Sequence, residues 1–214
     1  MTIRRGRDAR SAPPPAPGRR ERRRAETREK LYRTAMGLFA RHGYAQTTTE
    51  DITEAADVGQ GTFFNYFPTK SHVLVMLTEK QLEKVTAAVA QAETGESSVL
   101  EVFRTLIHAL VQELGRSQPL ARSMLAAFVA QDEVRTLIAD MLTHGRDLIG
   151  RICVIGQERG EIRRDLRAAE LAITFQRGLY GTLLLWALQS RGDLPTWLEK
   201  ALADFWSIAK AGKR

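Results

Sequence analysis

The sequence predicts an all-α protein, with a three-helix N-terminal unit ahead of a larger helical body. Three observations carry that expectation. Apolar residues recur at helical spacing through 25–214, and no stretch alternates as a strand would. Two short helical stretches, 48–56 and 60–67, are joined by a tight turn and follow a longer helix, which describes a helix-turn-helix unit. Near the C-terminal end, "GLYGTLLLWAL" is apolar almost all round, as in a helix covered on most sides, which suggests packing against a second copy.

Taken in order, residues 1–24 hold "SAPPPAPGRRERRR" and very few apolar side chains, so they read as a disordered basic arm that cannot bury enough surface to offset the entropy of ordering. From Ala25, Leu31, Ala35, Leu38 and Phe39 recur at one face of a first helix. It stops at Gly43 behind basic residues in the last turn. Thr48-x-x-Asp51 is a capping box that opens a second helix, with Ile52, Ala55 and Ala56 as its buried face. Asp57-Val58 forms the turn, and Gly59 caps a third helix that Pro68 ends. The division is therefore 1–24, 25–70 and 71–214. In the last part helices fit 71–92, 97–116, 120–130, 133–157, 168–189 and 195–210, with a loop at "ERGEIRRDLR".

Composition narrows the function. The chain has 214 residues, 43% of them apolar, which suits a folded protein with a sizeable core. Cys153 is the single cysteine, so no internal disulfide can form. It sits in "RICVIG", an apolar setting for an inert thiol. His108 and His144 lack Asp, Glu or Cys at ligand spacing, so no metal is expected. There is no nucleophile–base–acid set and no phosphate-binding glycine loop, so neither an enzyme nor a cofactor is expected. No apolar run is long enough to span a bilayer, and no apolar segment follows the first arginines, so the cytoplasm is the expected location, away from any membrane. The net charge is +7. Residues 1–24 hold nine arginines against Asp8 and Glu21, while the 23 basic and 23 acidic residues beyond them cancel. The arm thus carries the whole excess, as a polycation for DNA phosphates or as a solvated tail.

One stretch stands out. "GTFFNYF" places Phe63, Phe64, Tyr66 and Phe67 within seven positions. Four aromatics exceed what one face of a short helix can bury. Phe63 and Phe67, four apart, belong to the core, while Phe64 lies on the opposite face.

At this point "GLFARHGYAQTTTEDITEAADVGQGTFFNYFPTKSHVL" closely resembles the DNA-binding domain of the tetracycline-repressor (TetR) family. The residues that carry the likeness are Phe39, Gly43, Tyr44, the threonines, Ile52, Val58, Gly61 to Phe64, Tyr66, Phe67 and Lys70. The turn has Asp57 where the family often has glycine, and Gly59 and Gln60 stand where serine and a basic residue are frequent. The resemblance implies an N-terminal three-helix helix-turn-helix DNA-binding domain and a C-terminal helical ligand-binding and dimerisation domain. It implies a homodimer on a palindromic double-stranded DNA operator, usually a repressor released by a small-molecule effector. The alternative is a helical small-molecule-binding or adaptor protein that has lost specific DNA binding.

The same resemblance gives residues their roles. Phe64 points into the major groove, where the thymine methyl is the natural partner of a phenyl ring. Gln60 can bond adenine, Asn65 a phosphate or a base edge, and Tyr66 a phosphate. Thr48, Thr49 and Thr62 offer hydroxyls to phosphates, Gly61 lets the backbone come close, and Lys70 supplies a charged phosphate contact. For the pocket of the body the candidates are Phe103, Leu106, Leu110, Met124, Phe128, Phe175, Tyr180 and Trp186.

Overall fold

The computed structural model describes residues 18–189 and 192–212, and residues 1–17 of the expected arm lie outside that range. Among the described residues nine helices follow one another: α1 (Arg19–His42), α2 (Thr49–Ala55), α3 (Gln60–Phe64), α4 (His72–Thr94), α5 (Val99–Val111), α6 (Gln118–Ala130), α7 (Asp132–Glu158), α8 (Ala168–Leu188) and α9 (Leu194–Ala209). Among the described residues the only strand-like pairing is one bridge, Ile162 with Lys210, where the end of the chain closes over the 158–167 loop.

Local chemistry sets most helix limits. Thr48 Oγ1 accepts from Asp51 N (3.1 Å) while Asp51 Oδ2 accepts from Thr48 N (2.8 Å), the capping box that starts α2. Those hydrogen bonds also hold the Asp51 carboxyl below the usual carboxylate range. Ser98 and Glu101 repeat the device at α5. Gly43 ends α1 at φ 87°, and Asp57 takes φ 51° in the turn between α2 and α3, left-handed geometry that aspartate tolerates.

Two limits differ from the sequence reading. The first helix begins at Arg19, so 19–24 are helical and the arm as read from sequence is too long. Arginine is a good helix former, and Glu21 Oε2 accepts from Gly18 N (2.9 Å) at the first turn. The third helix ends at Phe64, well ahead of Pro68, and a tight turn continues from it with Phe67 N donating to Phe63 O (2.8 Å). The stretch read as 97–116 also breaks after Val111 into a short 3-10 turn over Leu114–Arg116. There a Cβ on Gly115 would stand 2.8 Å from Leu194 Cδ2, so α9 approaches too closely for a larger residue.

The head, α1 to α3, closes around Leu31, Ala35, Phe39, Ile52, Ala56, Phe63 and Phe67. Ala55, expected in that core, is exposed. The body is a layered bundle in which α4 packs on α7, α7 on α8, and α8 on α9. Each apolar side chain buried in it contributes about 1.5–3 kcal/mol.

Head and body are joined along α1, which lies on α6 and on the first half of α4. Arg28 pairs with Glu79 (2.8 Å) and Lys80 with Glu29 (3.0 Å). Tyr32 Oη hydrogen-bonds Glu113, and Tyr44 N donates to Ser123 Oγ (2.6 Å). No helix among the described residues is long and apolar enough to cross a membrane.

Candidate nucleic-acid interface and body cavity

The α3 segment divides its aromatics as helical geometry requires. Phe63 and Phe67 are buried, with ring centroids 5.6 Å apart. Phe64 is 46% exposed, its ring standing edge-on to Phe63 at 5.5 Å. Asn65, Gln60 and Gly61 are exposed beside it, and Thr62 and Tyr66 are half-buried. A Cβ at Gly61 would meet nothing within 4 Å, so that side of the helix is open. Gln60 Nε2 donates to Glu50 Oε1 (2.8 Å), which holds the amide across the front of α2. Thr48 Oγ1 is the cap of α2, and Thr49 Oγ1 donates to Glu50 (3.2 Å).

Lys70 belongs to the head's own hydrogen-bond network. Lys70 Nζ donates to Tyr44 O (2.8 Å) and Thr47 O (2.9 Å) and stands 4.4 Å from the Tyr44 ring centroid. Burial lowers its pKa below that of a free lysine. Two of its three N–H donors close the connector between α1 and α2. The charge beside α3 is supplied by α1. Arg20, Arg23, Arg24 and Thr27 form one wall of a groove whose other wall is Thr62, Asn65 and Tyr66. Arg24 lies 5.9 Å from the Tyr66 ring centroid, and Arg28, one turn on, 5.8 Å from that of Phe67. Arg28 is tied to Glu79, whereas Arg20, Arg23 and Arg24 have no acidic partner among the described residues. Sequence reasoning missed this groove because the arginines were assigned to a disordered arm. Their signal was Glu21, three residues after Gly18, a helix start inside the basic run.

Comparison with known proteins agrees with this geometry. Residues 31–76 match the family model described as bacterial regulatory proteins, tetR family. The HTH-type transcriptional regulator TcmR of Streptomyces glaucescens is 28% identical over 187 residues, covering 85% of this chain and 82% of that protein. The chain belongs to the TetR family of transcriptional regulators. The TetR-family repressor FadR of Thermus thermophilus, solved in complex with lauroyl-CoA, superposes with a TM-score of 0.62 at 29% identity, over 87% of this chain and 97% of that one. The HTH-type transcriptional repressor KstR of Mycolicibacterium smegmatis is 26% identical over 107 residues, so the match spans half of this chain and 52% of KstR.

Within this TetR-family body, a small cavity of about 30 Å³ lies between α4, α5, α6, α7 and α8. Of the sequence candidates, Leu110, Phe128 and Tyr180 line it. The others do not. Phe103 and Phe175 stack with Phe205 at 4.7–5.3 Å, with Phe175 and Phe205 beside a separate void of about 10 Å³, and Leu106 and Met124 are fully buried away from the cavity. Trp186 Nε1 donates to Gly192 O (3.3 Å), two residues ahead of α9.

The residue that sequence reasoning missed is Gln81. It lines the cavity at 7% exposure, and neither Nε2 nor Oε1 has a hydrogen-bond partner among the described residues. A buried amide left so costs about 1–3 kcal/mol. Within "TEKQLEK" it looks like surface, yet it falls on the helical stripe Leu74, Leu77, Gln81, Val85, Ala88, which is all buried. Cys153 is buried too, and burial pushes its thiol up to about 12, so it stays protonated.

The apolar helix α8 has two unlike faces. Leu183, Trp186 and Ala187 are buried in the body, while Leu184, Leu185 and Leu188 are exposed. Ile208 on the neighbouring α9 is exposed as well.

Proposed function

We propose that the chain acts as a homodimeric repressor. It binds a palindromic operator through α3 and releases it when a small molecule enters the body cavity. The observation that carries this reading is the order of residues along α4. Leu77, Thr78 and Gln81 line the cavity, while Glu79 and Lys80, between them, bridge to Arg28 and Glu29 on α1. Occupancy of the cavity and orientation of the head are thereby functions of one helix turn. A ligand that moves this turn shifts the recognition helices out of register with successive grooves.

Phe64 and Gln60 read bases, Asn65, Tyr66, Thr62, Thr48 and Thr49 meet the backbone or base edges, and Arg20, Arg23 and Arg24 join Lys70 in meeting phosphate charge. The exposed leucines of α8, with Ile208, supply the apolar face for a second copy, which sets the two heads apart on one side of the duplex. That KstR and FadR are repressors, and that FadR forms a complex with lauroyl-CoA, supports the same reading.

Selection of random-sequence duplexes by the full-length protein tests the proposal. The expected result is a two-fold symmetric motif, bound with strong salt dependence. Failure to enrich any motif at low salt, from a folded dimeric sample, favours the adaptor reading.

A further inference from the structure

We propose that Gln81 is the specificity-determining residue of the body cavity, and that the effector is an uncharged, mainly apolar molecule with one hydrogen-bonding group. The inference rests on the reading of that cavity as the effector site. The chemistry of the lining argues for it. Among the described residues no charged side chain faces the cavity. A carboxylate or phosphate entering it would lose its water with no cation to replace it, a cost that neutral groups escape.

Three polar groups remain. Thr78 Oγ1 already donates to Val75 O (2.7 Å). Tyr180, half-buried at the edge, stays neutral because burial pushes its hydroxyl up to about 12. Gln81 alone lies more than nine-tenths buried with both ends of its amide unengaged. A carboxamide donates and accepts, so it matches a hydroxyl, a ketone or an amide equally well. Native proteins seldom keep an unsatisfied buried amide without a use for it.

The cavity as it stands, about 30 Å³, is far below the roughly 300–1,000 Å³ of an occupied ligand pocket. Room for a larger guest must come from the half-buried side chains at its edge, Leu110, Phe128 and Met141. Methionine is the most adaptable of the three. The result is an apolar pocket that opens around a guest and checks it at a single polar point. That differs from an acyl-CoA, whose phosphates need cations the lining does not contain.

The test uses matched probes on the full-length protein: straight-chain 1-alkanols from butanol to decanol, the corresponding alkanes and carboxylates, and lauroyl-CoA. Binding is read by thermal shift and calorimetry. The variant is Gln81→Met, which keeps volume and helix propensity. Without ligand it should melt a few degrees above the wild type, since it removes the unsatisfied amide. At least one alkanol should bind the wild type more tightly than its alkane and lose roughly tenfold in affinity on Gln81→Met, with the alkane unchanged. Equal alkanol affinity in wild type and variant overturns the role of Gln81. Binding confined to the carboxylates or to lauroyl-CoA, or no binding by any probe, overturns the ligand class. Operator affinity is measured separately. An alkanol held by Gln81 that leaves DNA binding unchanged sinks the effector reading and spares this one.

Discussion

Head and body carry their functions in opposite ways. In the head, the proposed reading surface comes from a few consecutive residues on a short helix, and Phe63 and Phe64 are neighbours with contrary fates, one at 0% exposure and the other at 46%. In the body, the cavity is assembled from helices separated by up to a hundred residues of chain, and its one unengaged polar group looks like surface in the sequence. A function written in adjacent residues can be read from sequence; one written across a bundle needs the packing.

The contrast can be broken at its two ends. The largest expected effect is on stability. Phe63→Ala empties the centre of the small head and should cost about 3–5 kcal/mol, unfolding the head at a lower temperature than the body in calorimetry. A single unchanged transition would mean that the head's core does not depend on this ring. Next comes the arginine wall of α1. Replacing Arg20, Arg23 and Arg24 together by alanine should lower DNA affinity by roughly 100-fold at physiological salt and reduce the salt slope by about 2–3, uniformly across sequences. An unchanged slope would return those charges to the role of solvated surface.

Much of the fold was legible because its signals are local. Thr48 with Asp51, Ser98 with Glu101, and the glycines at positions 43 and 95 set helix ends through hydrogen bonds within a few residues. The misreadings share a non-local cause. Residues 19–24 are helical where the composition of the run suggested disorder, and Arg24 and Arg28 lie over the rings of Tyr66 and Phe67, about 40 residues away in the turn after α3. Lys70 reaches back to the carbonyls of Tyr44 and Thr47, which no spacing rule foresees. Phe103 and Phe175 were candidates for a pocket because they are large and apolar, but they pack on Phe205 outside the cavity that Gln81 lines. Gln81 was passed over because polarity outweighed its place in the buried stripe of α4.

The most direct test of the central claim, that α3 reads sequence while α1 supplies charge, is a comparison of wild type and Phe64→Ala on the selected operator and all its single-base variants. The account predicts a loss of about 1–3 kcal/mol on the selected site, flattened discrimination at one A·T pair in each half-site, and an unchanged melting temperature. An identical discrimination profile at every position would contradict it and remove Phe64 from the readout.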